Sequence, residues 1–384
     1  MPGMLIVYDP VRVKYEEWTV KLVVDIPDAL VGRIKQVVDD EGYENPQEFV
    51  TTAIENQLEL EESDVEGFKT LNEAVAEFNA GAPETSDEPE QEIEPDDVGT
   101  DGLGQREYDT VPTVTPPDED RLPTGPLWGQ YNKIFPAKLV VRRLANVIHE
   151  QNEDGTSTPR DSIQWIDLDQ FRKETAELAR NYGLQIKEYD DKKSRGRGEK
   201  LSAGLPTGDD TEKSVGRFQT HFVGRVKQDG SLAGAAPSLL LVDITDEDVS
   251  RVGITEAGLA FAELYNPLLD MGPDADEPLS ADERNFYMDH VRQDLPAEHE
   301  AMVTAADAIA DGHDRPDELT DRIARLQESW SESKANTMRS GIVSRMHELG
   351  LIERERVGQR GIAYTLTDLG EALLSDHEAG VIDG

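Results

Sequence analysis

Trp330 to Leu374 reads WSESKANTMRSGIVSRMHELGLIERERVGQRGIAYTLTDLGEALL, and the change of period inside it decides the fold class. Met338, Ile342, Met346 and Leu349 recur at i, i+4, i+8 and i+11, the buried stripe of an amphipathic helix. After Gly350 that period stops. The rest reads as a strand, a Gly-centred turn, a second strand and a short closing helix that opens at Thr367-Asp368-Leu369-Gly370. Upstream, RPDELTDRIARL starts a helix with Pro316 in its first turn, and earlier helices carry Phe286, Met288 and Val291, then Met302, Ala305 and Ile309. Residues 279–374 are expected to form one unit of this kind.

A second stretch, 127–270, has a similar order. Helical patterns run through YNKIFPAKLVVRRLANVIHE and DLDQFRKETAELARNYGL, with Phe171, Ala176, Leu178, Ala179 and Tyr182 inward. A third helix is expected in DDTEKSVGRFQTHFVGRV, where Val215, Phe218, Phe222 and Val226 are helically spaced. A Gly-rich turn, the apolar strand SLLLVDI and the closing run GITEAGLAFAELYNPLLD follow. The shared closing motif, Thr255 to Gly258 here and Thr367 to Gly370 above, suggests two units of similar type.

The N-terminal block, 18–62, is different. In TVKLVVDIP, Val20, Leu22, Val24 and Ile26 alternate with Thr19, Lys21, Val23 and Asp25, a period-2 strand. A helix is expected from Asp28 to Glu41 and ends at Gly42. A second starts at Asn45-Pro46-Gln47-Glu48, with a capping side chain, proline at N1 and a capping-box glutamate. One strand and two helices bury too little surface alone, so the block is expected to homodimerise. Residues 79–125, rich in Pro, Asp, Glu, Thr and Gly, are expected to be a disordered acidic linker.

Of the 384 residues, 80 are Asp or Glu and 38 are Lys or Arg, for a formal charge of -42. The excess runs through every segment, with few lysines and no cysteine, as expected of a protein adapted to molar salt. At about 1 M salt the Debye length is roughly 3 Å, so distant carboxylates barely repel a phosphate while direct contacts still count. The absence of cysteine excludes disulfides, thiol catalysis and Cys-type zinc sites. No run of 18 apolar residues and no signal-peptide pattern is present, so a cytosolic protein without membrane contact is expected. None of the 7 histidines lies in an HExxH arrangement, and His290 and His299 straddle Pro296. No GxxxxGK[ST] loop or GxSxG elbow occurs. No enzyme activity, cofactor, metal or small-molecule ligand is expected.

Helix, basic β-turn and Tyr-x-Leu-Thr-x-x-Gly make 279–374 resemble the winged-helix regulators of archaea, haloarchaea in particular, and within 127–270 the stretch from Asp209 to Asp270 resembles a winged helix. The 18–62 block resembles the ribbon-helix-helix family. Together they imply a mainly α fold with small β elements (α+β): a ribbon-helix-helix dimerisation module and two winged-helix units joined by the acidic linker. The resemblance implies double-stranded DNA as partner. In the ribbon, Lys21, Val23 and Asp25 would face the groove and amides near Asn45 and Gln47 a phosphate, although Val23 and Asp25 depart from the polar or basic residues usual there. In the middle unit the third helix would read DNA with Lys213, Arg217, Thr220 and His221, followed by Arg225. The densest basic run, Lys192, Lys193, Arg195, Arg197 and Lys200, would touch nucleic acid. In the last unit Lys334, Asn336, Thr337, Arg339, Ser340 and Arg345 would lie on or near the groove side, with Arg354, Arg356 and Arg360 on the wing.

The function expected is a homodimeric, sequence-specific transcriptional regulator. Two rivals share these modules: a partition protein that coats a centromere-like site, and a scaffold whose helical modules bind only proteins.

Overall fold

The computed structural model describes residues 11–15, 18–22, 103–109, 111–153, 163–245, 249–327, 329–357 and 361–382. The chain divides into two compact units, Met1–Phe68 and Lys69–Gly384.

In the first unit, strands β1 (Val11–Tyr15) and β2 (Trp18–Leu22) pair antiparallel, with Arg12 opposite Lys21 and Val13 opposite Val20. The expected strand thus finds a partner inside its own chain, where VRVKY repeats the same alternation. The expected groove residues Val23 and Asp25, both expected helices and Asn45 lie outside the described residues.

The second unit is mainly helical with small sheets. Its elements run α1 (Phe135–Glu153), β3 (Ile166–Asp167), α2 (Leu168–Lys192), α3 (Thr211–Phe218), β4 (Arg225–Val226), β5 (Leu232–Ala233), α4 (Ala235–Ser238), β6 (Val242–Ile244), β7 (Arg251–Ile254) and α5 (Glu256–Glu263). Then come α6 (Ala281–Asp294), α7 (Pro296–Ala310), α8 (Pro316–Ile323), α9 (Glu332–Glu348), β8 (Ile352–Val357), β9 (Gly361–Leu366) and α10 (Asp368–Ile382). A single apolar cluster extends from Leu103 to Leu373. The two segments expected as separate units therefore share one core.

That core also takes in part of the expected linker. Leu103, Tyr108, Val111 and Val114 are buried, and Val114 N–H donates to the Ile254 carbonyl at 2.8 Å. Composition alone hid this, because four well-placed apolar residues anchor a segment that is otherwise polar.

Helix α1 is buried on most of its circumference. Leu139, Leu144 and Ile148 pack into the core, and so do Lys138, Arg142 and Asn146, spaced four residues apart on one face. Their polar ends have a use at the C-terminal end of α5, where the last carbonyls lack helical partners. Lys138 Nζ donates to the carbonyls of Phe261 (2.5 Å) and Leu264 (2.6 Å), and Arg142 Nε to that of Ala262 (2.6 Å). Glu283 and Asp270 neutralise the two cations at 2.9 and 2.7 Å. Two buried cations at a helix C-terminus also oppose its negative dipole end.

The two closing motifs are built alike. Thr255 N–H donates to the Leu241 carbonyl and its hydroxyl to the Leu240 carbonyl at 2.7 Å; Thr367 repeats this with Leu351 and Gly350, the latter at 2.6 Å. Gly258 and Gly370 each donate to the threonine hydroxyl, and a Cβ on either would collide with the carbonyl oxygen of Leu241 or Leu351. The hairpins correspond too: Val242 pairs with Ile254, and Ile352 with Leu366. Strand β3 flanks the first hairpin, Ile166 pairing with Val252, whereas β8–β9 is a two-stranded sheet that meets only the loop before α8, where Tyr364 N–H donates to the Asp314 carbonyl at 3.0 Å.

This correspondence changes the reading of the middle segment. The helix directly before hairpin β6–β7 is α4, four residues long, and not the expected third helix. Ala235, Ala236, Pro237 and Ser238 are all buried. The expected helix over 209–226 is α3 followed by a π-helical turn, Gln219–Val223, and lies upstream of the extra hairpin β4–β5. Its Phe218–Phe222 spacing is helical as expected, but its place in the topology could not be read from period alone.

Candidate nucleic-acid interface

Helix α9 starts at Ser331, whose hydroxyl accepts the Lys334 N–H at 3.2 Å, a regular N-cap. Ala335, Met338, Ile342 and Met346 face the core. A second side of the helix is covered by the chain at 127–135. Lys334 Nζ lies 5.9 Å from the centre of the Trp128 ring. Gly129 and Gly341 bring the two backbones together so closely that a Cβ on either would strike the other segment. Arg345 donates to the Tyr131 carbonyl at 2.7 Å and, through Nε, to Glu298 at 2.8 Å. Glu348 accepts from the amides of Ile134 (2.7 Å) and Phe135 (3.0 Å), at the start of α1.

Arg345 is therefore corrected: at 1% exposure its guanidinium is a buried tie between α9, α7 and residue 131, not a groove contact. Arg339 is also buried, with Nη2 on Asn336 Oδ1 at 2.6 Å, and it supports Asn336 from behind. Thr337 donates its hydroxyl to the Ser333 carbonyl at 3.1 Å. A third, polar side of α9 carries exposed Ser333 and half-buried Asn336, Ser340, Ser344 and His347, at steps of three or four residues. Its Asn336 keeps only the amide NH2 for a ligand, because Oδ1 is taken. Ser344 and His347 escaped the sequence reading, which could not know that residues 127–135 cover the neighbouring side.

The basic run proves to be neutralised. Lys192 pairs with Glu188 at 2.6 Å; Lys193 and Arg195 meet Asp276 at 2.6 and 3.0 Å; Lys200 reaches Asp191 at 3.0 Å. Arg195 also meets Asp190 at 3.1 Å. Burial works against the Asp190 charge, but hydrogen bonds from Ser202, Leu201 and Arg195 hold its pKa below the usual range. In a chain this acidic, a cation finds a carboxylate nearby, and the run ties the end of α2 to residues 274–276. The side chain of Arg197 lies outside the described residues, as does Arg360.

In α3, Lys213 lends its N–H to the Asp210 cap at 3.1 Å. His221 stands edge-on to Tyr131, ring centres 6.4 Å apart. Burial, then Arg217 and Arg225, push its pKa down to about 4, so the ring is neutral near pH 7. On the hairpin, Arg354 is half-buried and Arg356 exposed. Arg354 lies so close to the backbone at Gly198 that a Cβ there would strike Nη1. His347, at the end of α9, is pushed to about 4 by burial, then Lys133 and Arg354. Lys133 was not singled out in the sequence, and nothing in its local pattern marks it.

Among the described residues, no group of three or more His, Asp or Glu could hold a metal ion, and no helix is long and apolar enough to cross a membrane. No protein-family profile matches the chain, and neither a curated protein nor a solved structure is significantly similar to it.

Proposed function

We propose that this chain is a sequence-specific, double-stranded DNA-binding regulator. Its reading element is α9, with β8–β9 as the wing. The observation that carries this reading is the polar, partly exposed stripe of α9, Ser333 to His347, beside the hairpin and the cations Lys133, Lys334 and Arg354. Lys133 acts on the buried Glu348 carboxylate, Arg354 on the His347 ring, and Lys334 rests on Trp128. The helix–helix–helix–hairpin–helix order over α7 to α10 supports a winged-helix unit, whose third helix fits the major groove.

On the same reading, the first half is a winged-helix-like copy without a groove helix, since the place of α9 is taken by the buried turn α4. Each chain then offers one reading helix. Symmetric recognition requires a second copy, for which the N-terminal 18–62 block is the proposed dimeriser. The overall charge does not oppose this at molar salt, where only close contacts count.

The test is selection of DNA sequences by the full chain in about 1 to 3 M KCl, followed by sequencing. An inverted repeat is expected. Absence of any enriched motif at every salt concentration refutes the reading and leaves the polar stripe as a protein-binding face.

A further inference from the structure

We propose that Trp128 and Lys334 form a clamp for the sugar–phosphate backbone of a DNA duplex, beside the first turn of α9. The clamp rests on the reading of α9 as the groove helix and adds to it a contact that carries no sequence information.

Trp128 is 38% exposed, although an indole is among the side chains that gain most from burial. The backbone around it is fixed on both sides. Leu127 is buried and donates its N–H to Glu298 at 2.9 Å, and the Trp128 carbonyl accepts the Tyr131 N–H at 2.9 Å. Gly129 lies against the backbone of Thr337 and Gly341, and Arg345 holds the Tyr131 carbonyl at 2.7 Å. A rigid segment therefore presents part of the indole to solvent.

Lys334, itself exposed, places Nζ 5.9 Å from the centre of that ring, within reach of a cation–π contact. Such a contact occupies no hydrogen-bond acceptor, so the ammonium keeps N–H donors for an anion. Glu332, in the same first turn, stands two residues away and does not face Lys334 on the helix. An apolar plate with a cation beside it matches the alternation of deoxyribose and phosphate along one strand.

Position selects backbone over base. At 3.6 residues per turn, Lys334, Gly341 and Arg345 share a side of α9 that adjoins the stripe from Ser333 to His347. A helix about 10–12 Å across fills a major groove about 12 Å wide, so a segment flanking the helix meets the wall of the groove and not its floor. The wall is sugar and phosphate.

The experiment uses the full chain with two probes, a duplex of random sequence and the duplex that selection enriches. Affinity is measured against KCl from about 0.5 to 3 M for the wild type, W128L, K334Q and the rescuing K334R. On both duplexes K334Q is expected to lower the slope of log affinity against log salt by about one unit, and K334R to keep it. W128L is expected to weaken both about tenfold, with their ratio unchanged. Of the 4 tryptophans, the fluorescence lost in W128L is that of Trp128, and bound duplex is expected to shield it from acrylamide. K334Q leaves the ring and the core in place, so its slope reads the clamp even where W128L fails to fold.

An unchanged slope in K334Q, with Trp128 as open to acrylamide as before, overturns the clamp and leaves duplex binding by α9 standing. A loss confined to the enriched duplex overturns the backbone assignment, because such a contact reads a base. The expected changes on random duplex, where selection enriches no motif, uphold the clamp and refute sequence-specific recognition. Binding of neither duplex at any salt overturns both.

Discussion

Replacing Arg345 by Met tests whether this arginine ties the unit together or reaches for DNA. Its guanidinium and the Glu298 carboxylate are each 1% exposed, with Nε hydrogen-bonded to Oε1 at 2.8 Å. Nη2 approaches the same oxygen to 2.7 Å as an ion-pair contact whose angle is too poor for a hydrogen bond. Nη1 holds the Tyr131 carbonyl. The methionine fills much of the volume but leaves Glu298 charged, buried and supported only by the Leu127 amide at 2.9 Å. Removing one partner of a buried pair costs about 3–5 kcal/mol. At about 2–4 °C per kcal/mol for a unit of this size, Tm should fall by on the order of 10 °C. Removing both charges together, in E298M/R345M, should cost less than R345M alone, because no unpaired charge is left. Thermal melts followed by circular dichroism at constant molar KCl read both values. A Tm within about 1 °C of wild type for R345M, with reduced duplex affinity, would refute the buried tie and return Arg345 to the groove.

Further outcomes are expected. His221 and His347 have folded pKa values of about 4 against 6.5 unfolded, so the unfolded chain binds more protons between those values. Their contribution to stability is complete above pH 6.5 and is lost as pH falls toward 4; H221Q/H347Q should flatten the Tm profile over that window. Thr255→Val and Thr367→Val each remove one cap and should each cost about 1 kcal/mol, similar in size because the two caps are built alike. Gly258→Ala and Gly370→Ala drive a methyl group into a carbonyl and should lower Tm further than either cap variant. Ser340→Glu places a carboxylate on the polar stripe and should abolish duplex binding with Tm unchanged. Lys193→Ala and Lys200→Ala, whose charges Asp276 and Asp191 already hold, should leave affinity unaltered.

The period-3.6 stripe of α9, the switch to period 2 after Gly350, and the repeated Thr-x-x-Gly were all legible because each arises from neighbours along the chain. A cap needs a threonine hydroxyl and an amide three residues on, and a helix needs one apolar side. The sequence by itself therefore determined the elements of the last segment, their order, and the likeness of its closing motif to that of the middle one.

Which side of α9 is available was decided only by tertiary packing. Gly129 and Gly341 permit a backbone approach that lays residues 127–135 along α9 and buries Arg345 there, and glycine in a sequence does not name the segment it will meet. Charge was equally unreadable: five cations between Lys192 and Lys200 look like an interface, yet Asp276, far along the chain, neutralises two of them. The reduced helix α4 was likewise hidden, since four small buried residues carry no period. Local spacing specifies hydrogen bonds closed within a few residues, whereas exposure and net local charge depend on chain brought in from a hundred residues away.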